Sequence, residues 1–239
     1  EDGADVIVKI DGDGQMDPAL LPQLVAPVLA GHADYAKGNR FWDLDHIGRM
    51  PLVRRLGNLG LSFMAKASTG YWQVFDPTNG YTAIHARVLE WLPLERVSQR
   101  YFFESDLLFR LGTLRAVVVD VPMDARYGDQ ASSLRPWRVV GEFAWKHLRN
   151  VVKRLGYNYF LRDLSIASLQ LVAALALLGF AATFGGWQWW WHAKAGITAP
   201  LGTVMLAALP AVMGFQLLLS FIGYDMAGVP SRAVWPMLP

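Results

Sequence analysis

Two long stretches without a charged side chain decide most of what this chain can be. Residues 164–191 give 28 consecutive uncharged positions and residues 195–224 give 30. A helix needs about 20 apolar residues to cross a hydrocarbon layer of about 30 Å, so each run is long enough. Helices of a soluble bundle keep a polar stripe, and Ser165, Ser168 and Gln170 do not continue as one. Only Lys194, Asp225 and Arg232 are charged beyond position 163, against 39 charged residues before it. The pattern is a soluble domain followed by a transmembrane hairpin. With 53 % hydrophobic and 18 % charged residues, disorder, a collagen-like chain and a nucleic-acid-binding tail are excluded. The absence of cysteine rules out disulfides, thiolate metal sites and a cysteine nucleophile.

The segment Trp187–Lys194 concentrates indoles where amphipathic rings settle at a membrane interface, and it reads as the short turn of the hairpin. Before the first span, residues 135–162 hold Arg135, Arg138, Lys146, Arg149, Lys153, Arg154 and Arg162 against the single acid Glu142. Phe143, Trp145, Val151, Val152, Leu155 and Tyr159 are interleaved with them, as in helices lying on an anionic leaflet. Positive-inside counting then places this segment and the soluble domain on the cytoplasmic face.

The soluble half reads as α/β. Val6–Ile10, apolar except for Lys9, predicts a buried parallel strand that ends in the acidic turn Asp11-Gly12-Asp13-Gly14. Asp17 suits an N-cap and Pro18 the first turn of a helix stopping near Gly31, with Pro27 kinking or shortening it. Strands are expected at Ala33–Lys37, Tyr81–Ile84 and Arg115–Val121, and helices over Gly48–Ser68 and Glu104–Leu111. This alternation predicts a layered sheet. The sequence opens at Glu1, without an initiator Met, almost directly on a strand pattern, so an upstream portion of a longer protein is expected.

Ligands of open α/β sheets collect at the carboxyl ends of strands, where Asp11 and Asp13 fall. Two carboxylates separated by a glycine can face one hard cation, Mg²⁺ or Mn²⁺, with Gln15 adding a neutral oxygen. A calcium loop is excluded, since Met16 and Pro22 stand where glycine and glutamate are required. The same residues also make an ordinary surface turn. The five histidines show no metal-ligand spacing, and His85, on an apolar stretch, reads as structural.

Four segments in order carry a resemblance: Val8-Lys9-Ile10-Asp11-Gly12-Asp13-Gly14-Gln15-Met16-Asp17-Pro18, Ala33-Asp34-Tyr35-Ala36-Lys37-Gly38-Asn39-Arg40-Phe41, Asp76-Pro77-Thr78-Asn79-Gly80-Tyr81 and Phe103-Glu104-Ser105-Asp106. Together they are similar to glycosyltransferase family 2, in particular its polyprenyl-phosphate glycosyltransferases, over most of residues 6–134. The resemblance implies a GT-A-like (Rossmann-like) partial sheet, amphipathic interfacial helices and a two-helix hairpin. It divides the chain into 1–134 (the later part of a glycosyltransferase domain), 135–162 (basic juxtamembrane segment) and 163–239 (hairpin and short tail).

The same resemblance implies roles. Asp11 and Asp13, with Gln15, would hold the divalent metal on the diphosphate of a nucleotide-sugar. Gly38 and Arg40 match a family Gly-Ser-Arg, where a guanidinium suits bidentate phosphate contact. Arg126 and Ser132 match a late active-site loop, although Ser132-Ser133 replaces the Ser-Lys of many relatives. Asp76 and Asn79 would line the sugar or acceptor side, while Asp76 equally suits a cap on a structural turn. Glu104 and Asp106 lie where members with hydroxyl acceptors place a catalytic base. The expected activity is an inverting transfer of sugar from a nucleotide-diphosphate sugar to a polyprenyl phosphate among membrane lipids, with no nucleic-acid partner. The alternatives are transfer to a glycolipid or polysaccharide hydroxyl, or a catalytically silent membrane scaffold. Family members begin with a strand and acidic turn for the nucleotide base, and the resemblance leads to the expectation that this part lies upstream of Glu1.

Overall fold

The computed structural model describes residues 3–12, 14, 16–40, 42, 52–123 and 136–239. They form two compact units, Glu1–Leu155 with Val229–Pro239, and Gly156–Gly228.

The first unit is built on a four-stranded sheet of β1 (Val6–Lys9), β2 (Tyr35–Asn39), β3 (Thr82–His85) and β4 (Val118–Pro122), in the order β1-β3-β2-β4. β3 runs antiparallel to both β1 and β2, while β2 and β4 are parallel. β1, β2 and β4 therefore point the same way, and their carboxyl ends meet the amino end of β3 at one end of the sheet. This corrects the expectation of a buried parallel strand at Val6–Ile10. β1 lies at the sheet edge, pairs antiparallel, and leaves Ile7 41 % exposed. An apolar run records that a strand packs against something, and says nothing of its partner's direction.

The expected alternation is otherwise observed. A 3₁₀ turn at Pro18–Leu20, capped by the Asp17 carboxylate accepting from the Ala19 N–H (3.0 Å), leads into α1 (Leu21–Leu29). Pro27 sits inside α1, and its carbonyl accepts from the N–H groups of both His32 and Ala33 as the chain leaves the helix. α1 buries Leu24 and Val28 on one face of the sheet beside Ala36 and Ala83. The other face is covered by α4 (Phe103–Leu114), whose Leu107, Leu108 and Leu111 pack with Tyr35, Ile84 and Val118. α2 (Leu52–Thr69) and the short α3 (Ala86–Glu90) complete the layers around it.

α5 (Pro136–Gly156) reverses the usual amphipathic order. Its inward residues His147, Asn150 and Arg154 are polar: His147 Nδ1 shares a hydrogen bond with Ser68 Oγ (2.8 Å), Asn150 donates to Asp106 (3.1 Å), and Arg154 Nε donates to the Ala67 carbonyl (3.1 Å). Burial lowers the His147 pKa to about 4, so the ring is neutral at neutral pH. Trp145, Leu148 and Val152, at i, i+3 and i+7, are 66, 53 and 63 % exposed.

The second unit holds a π-helical turn (Tyr157–Arg162), α6 (Ile166–Ala195) and α7 (Leu201–Ala227). Gln170 bonds Ser220, a Cβ on Gly214 would press on Leu177 and Leu178, and one on Gly185 would meet Ala207. These pairs run in opposite directions along the chain, so the helices form an antiparallel hairpin whose close approach depends on Gly214. Both are long and apolar enough to cross a membrane. The tryptophan cluster is not the turn, contrary to the sequence reading. α6 continues through Trp187–Trp191 and closes at Gly196, which has φ +66°, and residues 196–200 make the connection. Nothing from Trp187 to Lys194 breaks a helix; the first residue suited to the left-handed cap is Gly196, and Pro200 precedes the next helix. At the open end of the hairpin, Tyr159 donates to the Asp225 carboxylate (2.6 Å).

The tail after the hairpin rejoins the first unit. The buried Asp34 carboxylate accepts from the N–H groups of Val117 (2.6 Å), Val234 (2.9 Å) and Trp235 (2.8 Å). Trp235 stacks on His85 with ring centroids 4.0 Å apart and planes 9° off parallel. His85 also caps α3, its Nδ1 accepting from the Arg87 N–H (3.3 Å), which is the structural part the sequence suggested.

Candidate functional site

Strand direction gathers the site. Asp11 follows β1, Gly38, Asn39 and Arg40 close β2, and the turn Asp76–Tyr81 leads into β3, so all reach the same end of the sheet. The turn is fastened from within. The Asn79 side-chain oxygen accepts from the Tyr81 N–H (2.9 Å) and its amide reaches Met123 Sδ (3.1 Å), while the Gly38 N–H donates to the Tyr81 carbonyl (2.9 Å). Gly38 has no room for a side chain, since a Cβ there would collide with Met123 and lie 2.9 Å from Asn79 Nδ2. Gly38 and Asn79 thus build the site's frame.

Asp76 is buried, and its carboxylate receives Arg40 in a fork, Nε to Oδ2 at 2.8 Å and Nη2 to Oδ1 at 3.1 Å. Thr78 Oγ1 (3.3 Å) and the Arg40 N–H (3.4 Å) add to it. Burial opposes the charge on Asp76, but the Arg40 hydrogen bonds and charge, with Lys37, outweigh it and hold the carboxyl below its ordinary range. Lys37, wholly buried on β2, donates Nζ to the Asp76 main-chain carbonyl. Burial lowers the Lys37 pKa to about 8, against the opposing pull of Asp76 and Asp120.

Removing one member of a buried ion pair strands the others, at a cost of about 3–5 kcal/mol. Asp76→Ala is therefore expected to lower the unfolding free energy by about that amount, read by chemical denaturation in detergent. The pH dependence has a definite sign. Because the folded pKa of Asp76 is depressed, its stabilisation is complete above the unfolded carboxylate pKa and is lost as pH falls below it, through the folded value. The alanine variant should lose this acid-side slope.

Asp11 lies against Gly80, where a Cβ would overlap its carboxylate. Lys9 Nζ bridges Asp11 Oδ1 (2.7 Å) and Glu104 Oε1 (3.2 Å). Burial opposes the Lys9 charge, yet the bonds and charges of Asp11 and Glu104 win and raise its pKa. A divalent cation of the Mg²⁺ type needs hard oxygen ligands. Asp11 offers a part-exposed carboxylate packed against Gly80 and paired with Lys9, and its hard oxygens are of the ligand type such an ion takes. Among the described residues no three Asp, Glu, His or Cys side chains gather at one point.

The other sequence candidates divide. Glu104 joins the cluster through Lys9. Asp106 does not: it accepts from Ser98 N–H (2.8 Å), Arg110 (3.3 Å) and Asn150 (3.1 Å), joining α4, the preceding loop and α5. Asp13, Gln15, Arg126 and Ser132 lie outside the described residues. Sequence reasoning did not single out Lys37, or Asp120, which accepts from Asn39 (3.2 Å) and the Phe75 N–H (2.7 Å). A lysine inside a strand pattern was the available signal.

No family model matches the chain. It is 31 % identical over 125 residues to a UDP-N-acetylglucosamine–dolichyl-phosphate N-acetylglucosaminyltransferase of Methanococcus voltae, covering 52 % of this chain and 49 % of that protein. It is 30 % identical over 143 residues to an undecaprenyl-phosphate mannosyltransferase of Micrococcus luteus, covering 59 % and 58 %. An uncharacterized protein of Methanocaldococcus jannaschii is 30 % identical over 128 residues, covering 54 % and 52 %. The chain spans about half the length of these curated relatives. Over about half its own length, then, the chain is related to proteins named as sugar transferases that use polyprenyl phosphates.

Proposed function

We propose that this chain is the membrane-anchored part of an inverting glycosyltransferase that moves a sugar from a nucleotide-diphosphate sugar to a polyprenyl phosphate at the cytoplasmic face. The observation that carries the reading is the convergence of Asp11, Gly80 and the Arg40–Asp76 fork on one end of the sheet, in a chain similar to two named polyprenyl-phosphate transferases. The outward apolar stripe of α5 and the apolar hairpin support work at a lipid surface.

In this reading an oxygen of the lipid phosphate attacks the anomeric carbon, the bond from that carbon to the donor diphosphate breaks, and the bonding electrons leave with the diphosphate. A phosphate monoester is already largely anionic at neutral pH, so no side chain has to remove a proton. Arg40, its plane fixed by Asp76, holds a phosphate group and favours the charge that develops on it. Asp11, with Asp13 and Gln15, would hold Mg²⁺ or Mn²⁺. That ion, when bound, offsets the negative charge growing on the leaving diphosphate. Lys9 keeps the Asp11 and Glu104 carboxylates together without their mutual repulsion.

The test is transfer by the full-length protein in membranes, using labelled UDP-N-acetylglucosamine and GDP-mannose with undecaprenyl phosphate. A labelled lipid product is expected with one donor, and it should disappear with Asp11→Ala. Absence of product with both, together with no binding of either nucleotide, would leave the scaffold reading. Transfer that collapses on Glu104→Gln would instead point to a hydroxyl acceptor needing a base.

A further inference from the structure

Lys37 has no part in the chemistry described above, yet it is a charged side chain wholly enclosed in the sheet. β2 is an internal strand, hydrogen-bonded on both sides, and Lys37 stands in register with Thr82 on one neighbour and Asp120 on the other. Its side chain is wholly buried, on the same strand face as Tyr35 and Asn39. A methionine would fill similar volume without the desolvation cost of an ammonium, but it would leave the Asp76 carbonyl without its donor. What lysine adds is reach and charge. Its Nζ donates to the Asp76 carbonyl, at the start of the turn that places the Asp76 carboxylate on Arg40 and Gly80 beneath Asp11.

We propose that Lys37 is a positioning residue for phosphate recognition: from inside the sheet it pins the Asp76–Gly80 turn, and so fixes the Arg40 guanidinium for an anionic phosphate group. The assignment rests on the reading of Arg40 given under Proposed function. Its burial in place of a neutral residue is a stability cost retained for the site, and the lowered pKa of Lys37 records that cost. The phosphate belongs either to the lipid or to the nucleotide, and the two are told apart by separate probes.

The experiment is a double-mutant cycle on the full-length protein in detergent, with binding followed by tryptophan fluorescence. The probes are farnesyl phosphate in one arm and UDP or GDP with Mn²⁺ in the other. Lys37→Met is expected to weaken binding in at least one arm by about tenfold, the scale of one hydrogen bond to a charged group, measured below the variant's own unfolding midpoint. Because Lys37 acts through the Asp76–Arg40 fork, Lys37→Met combined with Arg40→Gln should bind no more weakly than Arg40→Gln alone. The arm that responds identifies the phosphate. Wild-type affinity in Lys37→Met, or fully additive losses in the double variant, overturns the assignment. If Lys37→Met does not fold, Lys37→Gln takes its place, and failure of both to fold also overturns it, since the lysine then serves the fold. If the wild type binds neither probe, it is the reading of Arg40 as a phosphate ligand that fails.

Discussion

Arg40→Gln should reduce sugar transfer by about 10²- to 10³-fold, the usual cost of losing one preorganised group aimed at developing charge. Glutamine keeps a polar end but neither the charge nor the fork. Two guanidinium nitrogens are already committed to Asp76 at 2.8 and 3.1 Å, so the side chain is held in one plane before any ligand arrives, and the entropy of ordering a long arginine is spent in folding. Lysine is no substitute, because an ammonium cannot satisfy both carboxylate oxygens from one direction; Arg40→Lys should recover less than a tenth of the wild-type rate. The variant also leaves Asp76 buried with Lys37 as its remaining cation, so some stability is lost with the activity. The two effects separate by assaying below the variant's own unfolding midpoint. Transfer at the wild-type rate by a folded Arg40→Gln protein would remove Arg40 from the machinery.

Why part of this site was legible in the sequence and part was not follows from the kind of information each residue carries. Asp11-Gly12-Asp13-Gly14 and Asp76–Tyr81 are local patterns of turn and carboxylate residues, and a local pattern survives in one dimension. The Asp17 cap and the stop near Gly31 are similarly local, and each is found where short-range backbone preferences place it. Pairing direction is not local. Val6–Ile10 reads as a buried strand because of its apolar side chains, and only the insertion of β3 between β1 and β2 makes it an antiparallel edge. Asp106 shows the same limit for chemistry. Its sequence neighbour Glu104 turns toward Lys9, while Asp106, two residues on along α4, points to Ser98, Arg110 and Asn150. Two acids in one helical turn look interchangeable until the helix is placed. Lys37 was easy to pass over for the opposite reason: in sequence it is one polar residue in a strand, ordinarily a solvent-facing one, and only the packed sheet shows it enclosed.

The last expectation concerns which side of the membrane each segment meets. The Asp34 carboxylate binds the tail at Val234 and Trp235 and the sheet at Val117, so the residues after α7 belong to the unit that precedes α6. The chain enters and leaves the hairpin from one side, and the antiparallel pairing of α6 with α7 puts the loop at 196–200 at the far end. In the sequence Arg149, Lys153, Arg154 and Arg162 precede the first apolar helix, against Lys194 alone before the loop, so the orientation in the proposed function puts the open end on the cytoplasmic side. Because the sequence contains no cysteine, single engineered cysteines report position without background. In sealed vesicles of known orientation, Glu95→Cys on the sheet unit and Ser231→Cys on the tail should react together with an impermeant maleimide added at the cytoplasmic face. Thr198→Cys in the loop should react only from the opposite face. Labelling of Thr198→Cys and Ser231→Cys from one and the same face would mean that the two apolar helices do not both cross, and opposite labelling of Glu95→Cys and Ser231→Cys would break the Asp34 clamp as an account of the tail.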